Sequence, residues 1–206
     1  DDIPYLLSVS NITKTSGGAD KEGDEEYRNR IRLRPRAFSV AGPHGAYQYY
    51  TLTSHQDIKD SYIYTPPSTP GVVKIIPLLK NGELPSQEIL EKIKEKLADD
   101  VRPLTDKIEI EKPKVQSYNI DIKYWTKKGD NPILVKKEVE AAFNEYIYWQ
   151  KEKLGRDINP NKLTQLLILA GAKRVEITSP IFQKIERDTV AKELTKSIKY
   201  IGEEDE

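Results

Sequence analysis

Residues 115–125 read VQSYNIDIKYW, and from Tyr118 onward every second side chain is apolar. Tyr118, Ile120, Ile122 and Tyr124 fall on one face, and Asn119, Asp121 and Lys123 fall on the other. A period of two built from β-branched and aromatic residues predicts a strand with one dry and one wet face. The period then changes. KKGDNP at 127–132 is a turn, and Val135, Val139, Ala142, Phe143, Tyr146 and Ile147 recur at helical spacing, so a long helix is expected to about Lys153, ended by Gly155. Asn159-Pro160 caps a further helix with Leu163, Leu166, Leu167 and Ala170 inward and Gly171 at its end. Val175 and Ile177 mark a strand that Pro180 breaks. Two weaker strands are expected near 182–189 and 197–201, before the acidic tail GEEDE. The stretch 114–206 thus reads β-α-α-β with terminal strands, a small lobe.

Upstream, Pro113 breaks the chain and sets the expected lobe boundary. Before it, Ile108 and Ile110 mark a half-buried strand, and Ile89, Leu90, Ile93 and Leu97 form the stripe of a helix opened by Pro85 and Ser86. Asn81-Gly82 is a turn. VVKIIPLL at 72–79 is almost wholly apolar, which fits a strand covered on both faces, with Pro77 marking an irregularity or an edge. TPPSTPG at 65–71 is a loop, 58–64 a strand rich in Tyr and Ile, and 45–53 a short helix. The lobe 37–113 therefore reads α-β-β-α-β. Residues 1–36 form a polar linker and an arginine-rich helix, which opens at Asp24-Glu25-Glu26 and is stopped by Pro35. The fold class is α+β, with two small lobes.

Composition narrows the function. The chain has 206 residues, 37% hydrophobic and 32% charged, so its core is thin and its lobes are expected to lean on neighbours. Lys plus Arg and Asp plus Glu are both 33, a balance at odds with a nucleic-acid or membrane-surface protein. No apolar run approaches the ~18 residues of a membrane span. Without cysteine there is no disulfide framework, thiol nucleophile or Cys-ligated metal. Methionine is absent too, even at position 1, so the chain is read as a fragment or a processed form.

Residue patterns that carry chemistry are scarce. The two histidines, His44 and His55, sit in or beside turns and form no ligand cluster. Carboxylates on the 86–99 helix interleave with Lys92, Lys94 and Lys96, as on a solvated face. There is no phosphate-binding glycine loop and no nucleophile elbow. The alternatives to a structural subunit are a tail-associated hydrolase domain, with two carboxylates converging in the fold, and a nucleic-acid-binding module. The second would use the ladder Arg28, Arg30, Arg32, Arg34 and Arg36, with Tyr47, Tyr49 and Tyr50 as stacking platforms. Asp24, Glu25 and Glu26 lie one turn from that ladder, and helical spacing splits it over two faces.

The stretch Ser16 to Asp60, SGGADKEGDEEYRNRIRLRPRAFSVAGPHGAYQYYTLTSHQDIKD, resembles the signature region of baseplate J-like proteins from contractile phage tails. The matching motifs are Gly17-Gly18-Ala19-Asp20, then Arg28, Arg30 and Ile31 with Arg32 beside them, then Ala37 to Pro43 with Gly42, and Gly45-Ala46-Tyr47. Asn81 to Pro85 and Val101 to Asp106 follow in the same order, so the resemblance runs over roughly residues 5–125. Gly23 stands where the family often has Ser or another polar residue.

The resemblance implies a non-enzymatic subunit with no cofactor, located in the virion tail baseplate of a phage, prophage or tailocin. It implies contacts with the lysozyme-like wedge subunit, the protein I-like wedge subunit and neighbouring copies of the chain, joining wedges around the hub, with no nucleic acid and no membrane. It also implies that other sequence precedes the Gly17-Gly18 motif in the whole protein. On this footing the candidate interface residues are Gly17, Gly18, Asp20, Arg28, Arg30, Arg32, Gly42, Pro43, Gly45 and Tyr47.

Overall fold

A computed structural model describes residues 23–38, 44–98, 101–103 and 105–205. Five α-helices and two three-stranded sheets make up the fold, a mixed α+β architecture. Helix α1 (Asp24–Leu33) runs through a 3-10 turn at Arg34–Phe38, so Pro35 ends the α-helix by tightening it. Helix α2 (His44–Ser54) leads to β1 (Ile58–Tyr64) and β2 (Val72–Leu79), and α3 (Gln87–Lys96) leads to β3 (Lys107–Ile110). The sheet order is β1-β2-β3. β1 is antiparallel to β2, while α3 is the crossover that lets β3 lie parallel to it. Ser86 caps α3 by accepting from the backbone N–H of Ile89.

The second sheet has β4 (Lys114–Lys127) at its centre, between β5 (Arg174–Ser179) and β6 (Thr189–Glu204). Helices α4 (Pro132–Lys151) and α5 (Pro160–Leu169) cover one face. Asn131 and Asn159 cap them, each followed by a proline. The buried face is the one the alternation marks, with Tyr118, Ile120, Ile122 and Tyr124 packed on Val139, Phe143, Tyr146, Leu163 and Leu167.

The chain end departs from expectation. Of the two weak terminal strands, the one expected near 197–201 is part of a longer strand, β6, which pairs in parallel with β4 over the whole length of β4, whereas residues 182–188 form no strand beyond the single bridge of Gln183 to Ile158. Two register shifts hide this strand from a period-two reading. Leu194 and Ile201 are the extra residues between the pairs Tyr118↔Glu193 and Asn119↔Thr195, and between Tyr124↔Tyr200 and Trp125↔Gly202. Each bulge inverts the alternation once.

Strand β2 explains its own composition. Val73, Ile75 and Leu79 pack into the first core with Tyr47, Ile93 and Leu97. Ile76 and Leu78 belong to a second cluster, with Leu154 from the end of α4 and Val190 from β6. The strand is thus dry on both faces because the second sheet's layer closes over it. Pro77 fits because β3 pairs with β2 only as far as Ile75, so no partner strand asks Pro77 for an N–H on that side. Tyr62 and Tyr64, stacked 5.0 Å apart, flank the seam.

Two polar contacts fix its register. Asp60 accepts a 2.9 Å hydrogen bond from the N–H of Leu154, 94 residues away, and another from the N–H of Ser61. Gly82, at φ +70°, lies against Lys151, where a Cβ would come within 2.9 Å of the lysine Cβ. Only glycine accepts that conformation and that approach together.

Leu78 is fully buried at this seam. Leu78→Ala should lower stability by about 2–5 kcal/mol in urea unfolding. Burial pushes the Asp60 carboxyl above its ordinary value, against the pull of the two N–H donors, Lys153 and Arg156. The folded protein therefore takes up a proton between the unfolded and folded values. The stabilisation tied to that proton is complete below the unfolded value and is lost as pH rises through the folded one. Wild type should gain melting temperature relative to Asp60→Asn as pH falls from neutral toward about 4. A difference that stays constant with pH would contradict this role for Asp60.

Candidate interaction surfaces

The residues singled out by sequence separate into two environments. Gly17, Gly18, Asp20, Gly42 and Pro43 lie outside the described residues. Gly45 and Tyr47 are buried in the first turn of α2. A side chain on Gly45 would run into that of Arg36, whose Cβ lies 3.1 Å from where the glycine Cβ would be. The hydroxyl of Tyr47 donates a 2.6 Å hydrogen bond to Asp106 Oδ2, across 59 residues. Burial and the Asp106 carboxylate both push the Tyr47 phenol well above its ordinary value, so it stays a donor. Arg102 donates to the Asp106 carbonyl. The Gly45-Ala46-Tyr47 motif and the Val101–Asp106 motif, far apart in the chain, are thus two halves of one clamp.

Arg28, Arg30 and Arg32 are exposed on α1. Arg28 pairs with Glu25 at 2.6 Å, and the Arg30 guanidinium lies 5.1 Å from the Tyr27 ring centre. Tyr27 and Ile31, one turn apart, are exposed beside them. Behind α1 a groove of about 420 Å³ runs against the end of α2 and the start of β1. Its lining includes Glu26, Leu33, Leu52, His55, Asp57 and Lys59. Glu26 sits 3.4 Å from the Lys59 amine and 3.6 Å from that of Lys80. Burial raises its carboxyl, but the two lysines and the Gly23 backbone outweigh that and hold it below its ordinary value. A glycosidase acid needs the opposite shift, toward a carboxyl that keeps its proton. His55 Nδ1 accepts from the Asp57 N–H at 3.2 Å, which uses it as a turn lock. Among the described residues no cluster of three or more His, Asp or Glu could hold a metal ion. No helix among them is long and apolar enough to cross a membrane.

Two apolar patches lie at opposite ends of the second helical layer. Ile133 and Leu134 open α4 and Leu169 ends α5, with exposures of 82%, 57% and 76%. They share one end because Gly171, just past α5, seats on Val135. Ile181 and Phe182, also exposed, follow β5 beside the 157–158 loop, to which Gln183 and Ile185 are bonded. The sequence held a signal for the first patch, since Ile133, Leu134 and Leu169 fall out of phase with the inward stripes of their helices. Asp106, Lys59 and Lys80 carried none, because their partners are distant in the chain.

Comparison with known proteins agrees with the motifs. Residues 39–112 match the Baseplate J-like central domain. Baseplate protein J of Escherichia phage P2 is 27% identical over 186 residues, an alignment covering 90% of this chain and 61% of that protein. The chain thus spans less than two thirds of that relative's length. A chain in the cryo-EM structure of the anti-feeding prophage (AFP) baseplate, 6-fold symmetrised, has a TM-score of 0.53 and 14% identity, covering 86% of this chain and 43% of that one. That likeness is one of fold. The matched span holds the Tyr47–Asp106 clamp and the Asn81-Gly82 turn, so the part of the chain that is similar to a baseplate J-like central domain is also the part these joints hold together.

Proposed function

We propose that the chain is a structural subunit of a contractile-tail baseplate, acting through protein–protein contacts and making or breaking no bond. The observation that carries this reading is the 27% identity to a phage baseplate protein J over nearly the whole chain. The geometry supports it. Three of the described family motifs serve as joints within the fold, through the Tyr47–Asp106 clamp and the Gly82–Lys151 contact, while Arg28, Arg30 and Ile31 stay on the surface. Large apolar side chains are left on the surface at both ends of the second helical layer, as expected of a subunit that completes its burial in an assembly.

On this reading the units 37–113 and 114–206 work as one body, with 1–36 as the connecting segment. The partners are neighbouring wedge proteins, of the lysozyme-like and protein I-like kinds, and further copies of this chain. The joined wedges surround the hub of the virion tail baseplate. The exposed arginines of α1 take part in that contact.

The double variant Arg28→Glu/Arg32→Glu, made in the particle that encodes the chain, should sharply reduce intact tails counted by electron microscopy. The purified variant should keep its melting behaviour, since exposed substitutions of this kind usually shift stability by less than about 0.5 kcal/mol. A normal count of intact tails would remove α1 from the interface.

A further inference from the structure

Helix α1 has ten residues and none of them is buried. Helices shorter than ~12–15 residues are marginal alone in water, and Gly23 offers α1 no side-chain cap. Its order must come from docking, yet the apolar side of that docking is unfinished. The groove of about 420 Å³ separates Leu33 from full contact with Leu52 and Ile58, where a packed interface would leave little space. Ionic contacts do close across it, from Glu26 to Lys59 and to Lys80, and past the end of α1 the Arg34 guanidinium lies 5.6 Å from the Tyr49 ring centre.

We propose that α1 is a detachable arm, held on the body by an ionic clasp in which Glu26 lies between Lys59 and Lys80. All three side chains are about one third exposed, so water and salt reach the clasp. Lys59 also lies 3.8 Å from Glu152 at the end of α4. When Glu26 leaves, Lys59 keeps a partner and Glu26 hydrates, so release strands no buried charge. An arm this short melts as it leaves, which makes docking and helix formation one equilibrium. Release uncovers the Leu52–Ile58 floor, while Tyr27, Ile31 and the arginines are exposed with the arm docked or released. The clasp is a property of this chain alone and does not depend on the baseplate reading.

Amide hydrogen exchange on the purified chain tests it. In wild type, exchange of residues 27–33 should rise about three- to tenfold between about 50 mM and about 1 M NaCl, while β4 and α4 stay protected. Glu26→Gln should show the raised rate already at low salt and respond little to more salt. Lys80→Gln should give a smaller rise, and the double variant should exceed Glu26→Gln by less than Lys80→Gln alone exceeds wild type. Salt-independent exchange in wild type, unchanged exchange in Glu26→Gln, or additive effects of the two substitutions would each overturn the clasp. Particle assembly plays no part in this readout, so a failure here is distinct from a failure of the baseplate role.

Discussion

Strand β2 is the piece on which the remaining structure depends, because it is buried on both sides by different layers. Its Val73 and Ile75 belong to the core under α2 and α3, and its Ile76 and Leu78 meet Leu154 and Val190 of the second sheet's layer. One strand thus serves two layers, giving Val73, Ile75 and Leu79 to one and Ile76 and Leu78 to the other. The Asp60 bond to the Leu154 N–H fixes how the halves meet. A carboxylate is costly to bury, so it suits only the placement in which both of its N–H donors are present. The apolar cluster supplies attraction and Asp60 supplies registry.

The family-like motifs of the first half take their meaning from the same economy. Gly45 lets α2 approach Arg36, Tyr47 ties α2 to the loop before β3 through Asp106, and Asn81-Gly82 turns the chain where Lys151 leaves no room for a side chain. Each of these contacts is a packing or hydrogen-bonded joint. They hold three loops in place around a thin core, so a resemblance to a structural family can rest on short motifs.

Much of the architecture was legible because it is local. The caps Ser86 and Asn159, the stripe from Val139 to Ile147 and the alternation from Tyr118 to Tyr124 each determine their element within one window. β6 was legible only in pieces, since two bulges invert its phase within one strand. The both-face burial of β2 could be read from its composition, but not what covers the second face. The seam, the Tyr47–Asp106 clamp and the Glu26 clasp were out of reach. Each joins residues far apart in the chain, and a charged or polar side chain carries no mark of its partner.

The same bulges have a consequence for the free edge of the second sheet. β6 is an outer strand of 16 residues, and a flat strand of that length would offer a long row of free backbone groups to any passing copy. Leu194 and Ile201 break the row into short stretches that twist away from one another, and Lys196 and Lys199 add charge along it. Pairing along that edge is thereby interrupted at two points, which leaves no continuous 16-residue row for another strand to extend.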